Sequence, residues 1–380
     1  MSTWMPTELD GAQEDLINQN ISTNKWLIGY PGSGKSVVLA HLAKKYKVTQ
    51  GKSVAIISYT LALGNLFKTG ISELGAREVP IFTPREFLKR ATFYDYVVCD
   101  EIQDLSKQTL TEIKNHCNHL ICAGDANQSI FEKDTYGRPV MSEADARAVL
   151  GVEPIEQNTI YRLTRSIVNA VIRFLPRMHS MREKTDYTKV DVKIACRKFP
   201  SEKDECSWVY SSASGYANQR DRVAILFSTH SSLITYVNRV LLSLNKQEWT
   251  IVVNDYGKPN FSSLNNYLKE NGVRMQCVLN GYGDLLNAQK NNDIILTTYH
   301  SSKGLDFDDV YIPFVRQGLY LAPDEERSKT LLMVAMTRSS KNLTFSYSGI
   351  LSEYIDRIKD TEWTNIDMSQ NIANDDDDIF

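Results

Sequence analysis

The fold of this 380-residue chain is decided by the stretch WLIGYPGSGKSVVLA at residues 26–40. Three apolar residues typical of a buried strand lead into the pattern G-x-x-x-x-G-K-S, and an apolar helical run follows. Glycines such as Gly32 and Gly34 let backbone N–H groups close around phosphates at a helix N-terminus. The stretch therefore predicts an ATP-binding P-loop, with Lys35 on the β and γ phosphate oxygens and Ser36 on Mg²⁺.

Short β-branched apolar runs alternate with amphipathic stretches along the rest of the chain, which is typical of βα units around a parallel sheet. Two sets of runs occur, at residues 26–28, 54–57, 96–99 and 120–123, and then at 223–227, 294–297 and 343–345. Gly151 and Pro154 break the helical pattern between the sets. We expect two α/β domains, at residues 1–153 and 154–368, and a disordered acidic tail at 369–380. No internal repeat is evident by eye.

Composition narrows the class of protein. Hydrophobic residues make up 42% of the chain and charged residues 23%, as in a globular protein. The start lacks a basic segment followed by an apolar one, and no apolar run approaches the roughly 18 residues that span a bilayer. We therefore expect a cytoplasmic protein without membrane contact. A net charge of -3 argues against a broad basic surface, so any contact with nucleic acid should be local.

Six cysteines are scattered without a CxxC pair, and reduced, buried cysteines are the simplest interpretation. Four residues crowd closely enough to suggest a metal site instead: His116, Cys117, His119 and Cys122. The local pattern there is also that of a helix end running into a strand, which we favour.

Two carboxylates end the predicted strand at residues 96–99, namely Asp100 and Glu101. After a P-loop, such a pair is typical of an ATPase. One carboxylate holds Mg²⁺ through water and the next activates the attacking water. We assign the first role to Asp100 and the second to Glu101.

From this point the motifs resemble those of the UvrD/Rep branch of superfamily 1 helicases. The matching stretches, in chain order, are Leu9 with Gln13, DEIQD at residues 100–104, GDANQSIF at 124–131, Tyr161 with Arg162, TYHSSKGLDF at 298–307 and VAMTR at 334–338. They span nearly the whole chain in the family's order. The resemblance implies two RecA-like P-loop NTPase domains, each a mostly parallel sheet flanked by helices.

The resemblance also implies roles for single residues. Gln13 would recognise adenine, and Tyr161 would offer it an aromatic face. Residues that the family places around the nucleotide are Gln128, Arg162, Gly304, Asp306 and Arg338. Because charge develops at the γ-phosphate, arginines are supplied from the facing domain, and Arg162 and Arg338 lie beyond the expected boundary. A surface ion pair is the alternative for each arginine.

Contacts with a nucleic-acid strand are also implied by the resemblance. They fall on six residues: Tyr59, Thr60, Thr83, Phe87, Phe131 and His300. These would contact the backbone or stack on bases. Tyr59 and Phe87 are equally compatible with the protein core.

The sequence departs from the family in several places. It reads FEKD at residues 131–134 where the family's motif runs on into a Trp-Arg pair, Leu61-Ala62 stands where the family tends to have Asn-Lys, and Asp306 replaces the usual Glu. The intervals between motifs leave little room for the accessory domains 1B and 2B. The resemblance then implies a compact translocase, and strand separation does not follow from the motifs.

The chain closes with DDDDIF at residues 375–380, which resembles the C-terminal tip of bacterial single-stranded DNA-binding proteins. Ile379 and Phe380 could enter an apolar pocket of a protein partner, and a solvated tail that repels DNA is the alternative.

Our leading hypothesis is an ATP- and Mg²⁺-dependent translocase or helicase on single-stranded DNA, moving 3′ to 5′ by family resemblance. A DNA-sensing ATPase subunit that gates a partner nuclease is the second hypothesis. RNA is a third possibility, because backbone and stacking contacts do not choose the sugar decisively.

Overall fold

The computed structural model describes residues 9–358 and 363–368. The chain forms two compact units, of which one ends at Arg162 and the other begins at Leu163. This boundary lies beyond the expected one at residue 153, because a short strand at Ile155–Glu156 pairs with the first sheet. The acidic tail at residues 369–380 lies outside the described residues.

The first unit contains six α-helices and six strands among its described residues, and a π-helical turn at Lys45–Thr49 continues the second α-helix. In chain order these are α1 (Gly11–Asn18), β1 (Lys25–Ile28), α2 (Lys35–Lys44), β2 (Val54–Ile57), α3 (Leu61–Glu73), β3 (Ile81–Phe82), α4 (Pro84–Arg90), β4 (Tyr94–Cys99), α5 (Lys107–Lys114), β5 (Cys117–Ala123), α6 (Glu143–Leu150) and β6 (Ile155–Glu156). Short 3₁₀ turns at Ile102–Asp104 and Ala126–Gln128 follow β4 and β5.

All strand pairs of the first sheet are parallel, in the order β3-β2-β4-β5-β1-β6. Buried apolar side chains on both faces, as in β2, allow helices to cover the sheet on each side. The central strands β4, β5 and β1 end at the same edge. Chemistry-bearing loops follow each of them, and a ligand crevice is expected at such an edge.

The second unit contains eight helices and seven strands among its described residues. They are α7 (Arg165–Phe174), α8 (Met181–Lys184), β7 (Lys193–Phe199), α9 (Glu202–Asn218), β8 (Val223–Phe227), α10 (His230–Ser243), α11 (Phe261–Glu270), β9 (Met275–Cys277), α12 (Leu285–Asn291), β10 (Ile294–Thr298), β11 (Phe307–Ile312), α13 (Glu325–Met336), β12 (Ser339–Ser348), α14 (Glu353–Asp356) and β13 (Trp363–Asp367).

The second sheet is also parallel, in the order β13-β7-β12-β11-β8-β10-β9. Its core lies between the sheet and helices such as α9, α10 and α11. Each unit is therefore a parallel sheet flanked by helices, and the expected α/β class with two RecA-like domains is confirmed. No helix within residues 9–358 or 363–368 is long and apolar enough to cross a membrane.

All seven predicted strands are present, while six strands were missed. Three of these have only two or three residues: β3, β6 and β9. The other three, β7, β11 and β13, mix charged or polar residues with apolar ones, so they do not read as apolar runs. Pairing with apolar neighbours in the sheet sets their conformation.

Candidate nucleotide and nucleic-acid sites

The loop between β1 and α2 has the backbone that the glycine pattern predicts. Gly32 and Gly34 both have φ near +77°, in the left-handed region that favours glycine. Gly34 caps α2 without a side-chain hydrogen bond, so the N-terminal N–H groups of the helix face the loop. Lys35 donates through Nζ to the carbonyl oxygens of Gly29 (2.5 Å) and Tyr30 (3.1 Å). This arrangement suits a triphosphate.

Three other predicted residues gather around the same loop. The backbone N–H groups of Tyr161 and Arg162 donate to the carbonyl oxygen of Gly32, at 2.8 and 3.3 Å. A side chain at Gly32 would come within 2.5 Å of Cβ of Arg162, and one at Gly34 would clash with Gln13. The loop therefore needs both glycines for close packing as well as for their backbone angles.

The entry helix α1 fixes the position of Gln13. Asp10 caps the helix and accepts from the backbone N–H of Gln13 at 2.7 Å, while the Gln13 side chain bonds back to Asp10. The hydroxyl of Tyr161 also donates to Asp10. Gln13 and Tyr161 are thus held on one side of the P-loop, where the resemblance places the adenine ring.

Asp100 meets Ser36 at the end of β4. The Ser36 hydroxyl donates to Oδ2 of Asp100 at 2.6 Å, and the backbone N–H of Glu101 donates to its Oδ1 at 2.9 Å. Burial, and then the charge of Glu101, raises the pKa of Asp100 to about 7. Hard oxygen donors beside a second carboxylate are the chemistry that Mg²⁺ prefers, so Ser36 and Asp100 fit a magnesium ion.

Glu101 begins a chain of hydrogen bonds that crosses from β4 to β5. Its backbone is left-handed, with φ of +55°. The side-chain amide of Gln103 donates to Glu101, and Oε1 of Gln103 accepts from the backbone N–H of Asp125 at 3.1 Å. Oδ2 of Asp125 then accepts from Gln128 at 3.0 Å. The carboxylate next to the P-loop is thereby connected to the segment that follows β5.

Gln103 and Asp125 are functional candidates that the sequence analysis left out. Both occur inside the quoted motifs, but nothing in the linear sequence shows that they bond to each other. That contact requires β4 and β5 to be neighbours in register, with Cys99 opposite Cys122.

The charge of Lys35 is balanced within the first unit. Burial lowers the pKa of its amine, while the carboxylates of Asp125, Glu101 and Asp100 oppose that shift. Arg162 lies close enough to add to the lowering. Two cationic groups and three carboxylates therefore interact around the P-loop.

The placement of Arg162 corrects an expectation. It was expected to reach the nucleotide from the facing domain, but it belongs to the same unit as the P-loop and packs on Gly32. The reason is strand β6, which extends the first sheet and carries the following residues back to the loop.

Arg338 lies in the second unit, beyond the boundary as expected, and its contact with the nucleotide stays a prediction. It is only 2% exposed. Its guanidinium donates to the carbonyl oxygens of Val334 (2.8 Å) and Leu305 (3.0 Å) and to the hydroxyl of Thr337 (2.9 Å). A buried guanidinium must satisfy its N–H groups, and here the end of α13 and the loop before β11 do so.

The loop between β10 and β11 contains the other predicted residues of the second unit. Gly304 is left-handed, with φ of +81°. Asp306 forms an ion pair with Arg222 at 3.1 Å, so its carboxylate already has a partner within the unit. His300 is half-buried just after β10, and burial lowers the pKa of its imidazole.

The aromatic residues proposed to touch a strand divide into two groups. Tyr59 and Phe131 pack together with ring centroids 5.1 Å apart, and both are partly exposed. Phe87 is only 1% exposed and packs against Phe82 and Tyr94 in the core. The assignment of Phe87 to nucleic acid is wrong, because helix α4 turns its ring towards the sheet.

The two threonines in this set have structural roles. The hydroxyl of Thr60 caps α3 by accepting from the backbone N–H of Leu63 at 3.2 Å. Thr83 caps α4 in a capping box with Glu86. A contact with a strand therefore stays a prediction for both residues.

We expect Phe87→Leu to lower the free energy of unfolding by about 1–3 kcal/mol, since it removes buried ring atoms from a packed core. The affinity for single-stranded nucleic acid should not change. Denaturant unfolding and fluorescence anisotropy measure the two quantities. Weaker binding with unchanged stability would restore the original assignment.

The crowded histidines and cysteines are used otherwise than in a metal site. Helix α5 runs into β5 here, as the favoured interpretation predicted. Nδ1 of His116 bonds to the carbonyl oxygen of Glu112 at 2.8 Å, and burial raises the pKa of Cys117 to about 12. Within the described part of the chain, no three His, Cys, Asp or Glu side chains are grouped to hold a metal.

Two family models match the chain. The viral superfamily 1 RNA helicase core domain matches residues 27–243, more than half of the chain. The UvrD-like helicase C-terminal domain matches residues 254–349. No curated protein matches.

Several solved structures resemble the chain at low identity. The C-terminal domain of a possible DNA helicase from Lactobacillus plantarum WCFS1 is 16% identical, over 54% of this chain and 97% of its own, with a TM-score of 0.36. Arterivirus nonstructural protein 10, a helicase, is 12% identical over 92% of this chain, with a TM-score of 0.45. The structure of this helicase in complex with DNA is 13% identical over 92% of this chain, with a TM-score of 0.46.

This chain spans 64% and 65% of the length of the two arterivirus chains. The match of more than half of the chain to a helicase core, together with the UvrD-like C-terminal domain, shows that the protein belongs to the superfamily 1 helicases, which are NTP-hydrolysing enzymes that act on nucleic acid.

Proposed function

We propose that the protein is an ATP- and Mg²⁺-dependent translocase on single-stranded DNA that moves 3′ to 5′. One observation carries the proposal. The hydrogen bonds from Glu101 through Gln103 and Asp125 to Gln128 end three residues before Phe131, whose ring packs on Tyr59. A change at the hydrolysing carboxylate can therefore reach the aromatic pair through bonded groups.

The residues of the first unit have distinct tasks in this proposal. Lys35 and the helix N-terminus of α2 bind the phosphates, and Ser36 and Asp100 hold Mg²⁺, which neutralises charge on the phosphate oxygens. Glu101 accepts a proton from the attacking water, with its side chain oriented by Gln103. Gln128 and Arg162 respond to the γ-phosphate in this proposal.

The second unit supplies Gly304, Asp306 and Arg338 in the same proposal. Because Arg338 and Asp306 have partners within their unit, their contacts must be exchanged when nucleotide is bound. Such exchange is a means of coupling nucleotide state to conformation. We also propose that the protein has no folded 1B and 2B accessory domains. Its main action would then be translocation, with little unwinding of duplex.

RNA is the second candidate substrate, because the model that matches residues 27–243 describes viral RNA helicases. The parts that bind phosphates and stack bases would serve either sugar. Measurement of ATP hydrolysis with DNA and with RNA therefore distinguishes the two substrates.

We expect ATP hydrolysis by the wild-type protein to be stimulated more by single-stranded DNA than by duplex DNA or RNA. Steady-state hydrolysis with each nucleic acid tests this. Stronger stimulation by RNA would favour the second candidate, and hydrolysis indifferent to every nucleic acid would contradict both and favour an ATPase that gates a partner nuclease. Displacement of streptavidin from a 3′- or a 5′-biotinylated strand reports the direction.

A further inference from the structure

A short pattern occurs twice in the chain, once in each unit. It reads DTYGRP at residues 134–139 and NDYGKP at residues 254–259. Each copy has Asp or Asn first, then a residue that differs (Thr135 or Asp255), then Tyr-Gly, a basic residue and Pro. Copies of only six residues, separated by more than a hundred, do not stand out in the linear sequence.

Both copies form the same turn. Oδ1 of Asp134 accepts from the backbone N–H groups two and four residues later, at 2.9 and 3.1 Å. The corresponding distances from Oδ1 of Asn254 are 3.0 and 3.1 Å. Two backbone hydrogen bonds also agree, at 2.8 and 2.9 Å in each turn. The glycines, Gly137 and Gly257, are left-handed in both.

Each turn is fixed to its own unit by the other polar atom at the end of its first side chain. Oδ2 of Asp134 accepts from the hydroxyl of Thr109 at 2.5 Å. Nδ2 of Asn254 donates to the hydroxyl of Tyr282 at 2.9 Å. The turns are therefore rigid supports for a tyrosine and a basic side chain.

The two tyrosines differ sharply in exposure. Tyr136 is 36% exposed, and the guanidinium of Arg138 lies 4.8 Å from its ring centroid. Arg138 also pairs with Glu112 at 3.1 Å. Tyr256 is 87% exposed, and Lys258 forms no ion pair with any residue that the structure describes. The first turn is closed on itself, whereas the second presents an aromatic face and a positive charge to solvent.

The open turn packs against the start of α10 through Phe261. Phe261, which starts α11 directly after the turn, packs against Tyr282 (5.6 Å) and His230 (5.0 Å between ring centroids). Together with the hydrogen bond from Asn254 to Tyr282, these contacts join the turn to the body of the second unit.

We propose that the turn at residues 254–259 binds single-stranded nucleic acid, with Tyr256 stacking on a base and Lys258 facing a phosphate. Aromatic rings beside cationic groups are the usual means by which proteins hold single strands without reading sequence. The inference rests on the proposed function and adds to it a strand contact outside the family motifs.

We expect Tyr256→Ala to weaken binding of a fluorescein-labelled oligothymidylate by about five- to a hundredfold, as loss of one stacked base predicts. Tyr256→Trp should restore the affinity, because the larger ring also stacks. Lys258→Gln should reduce the slope of log K against log salt concentration by about 0.7, the value for one phosphate contact on a single strand. Fluorescence anisotropy at several salt concentrations measures all three.

Tyr136→Ala is the matched control, since it removes the same side chain from the same turn where the ring is less exposed and lies against Arg138, and it should bind as the wild type does. Thermal unfolding checks that each variant is folded. Unchanged affinity in Tyr256→Ala, or an equal loss in Tyr136→Ala, would overturn the inference while leaving the proposed function intact. A wild-type protein that binds neither oligothymidylate nor oligouridylate would overturn both.

Discussion

Lys35→Ala is expected to lower the rate of ATP hydrolysis by about 10³-fold, with and without single-stranded DNA. Carbonyl oxygens of Gly29 and Tyr30 hold the Lys35 amine in the loop, and nearby carboxylates oppose the lowering of its pKa by burial. The amine is therefore in position before nucleotide arrives. Alanine removes the amine from the phosphates, so both nucleotide binding and hydrolysis should fall. Steady-state hydrolysis and titration with a fluorescent ATP analogue measure them.

Lys52→Ala is a suitable control, because Lys52 is an exposed lysine of the same unit. It should hydrolyse ATP at the wild-type rate. If Lys35→Ala hydrolysed ATP within tenfold of the wild type and kept its stimulation by DNA, the P-loop would not be the hydrolytic site.

The parts of the site that the sequence predicts well are those encoded by adjacent residues. The P-loop needs only a strand, a glycine-rich turn and a helix in succession, and residues 26–40 contain all three. Asp100 and Glu101 likewise follow β4 directly. Parallel pairing of the central strands then brings these loops to one edge, so the meeting of Ser36 and Asp100 follows from the fold class.

The parts that the sequence does not predict depend on contacts between distant residues. Two residues of β6 are enough to retain Arg162 in the first unit, and so short a strand has no apolar pattern of its own. Phe87 occupies a motif position, but whether its ring faces solvent or core is decided by Phe82 and Tyr94. Position in a motif therefore fixes the backbone location of a residue better than the direction of its side chain.

Arg338 shows the same limit in another form. Its motif predicts an arginine at the end of a helix, and α13 ends there. The linear sequence cannot show that Val334, Leu305 and Thr337 surround the guanidinium. A role on the γ-phosphate requires these hydrogen bonds to be exchanged for new ones, so nucleotide binding and rearrangement of this loop would be coupled.

Glu101→Gln should separate nucleotide binding from hydrolysis. We expect the rate of hydrolysis to fall by about 10²- to 10⁴-fold, the usual contribution of a general base. Glutamine has nearly the same shape and can still accept from the amide of Gln103, but it cannot take a proton from water. Affinity for ATP should therefore be retained, in contrast with Lys35→Ala. Titration of Glu101→Gln and of Lys35→Ala with the fluorescent ATP analogue compares their affinities for nucleotide.

Glu78→Gln is the matched control for this charge change, because Glu78 lies at the surface of the same unit and its 3.8 Å pair with Lys47 should contribute little. It should hydrolyse ATP normally. Hydrolysis by Glu101→Gln close to the wild-type rate would mean that another group activates the water, and the hydrogen bonds from Gln103 to Gln128 would then have no link to the chemistry. Lost hydrolysis with retained binding would instead leave the protein in its ATP-bound state. Its affinity for oligothymidylate with and without ATP would then show whether that state alone alters the hold on the strand.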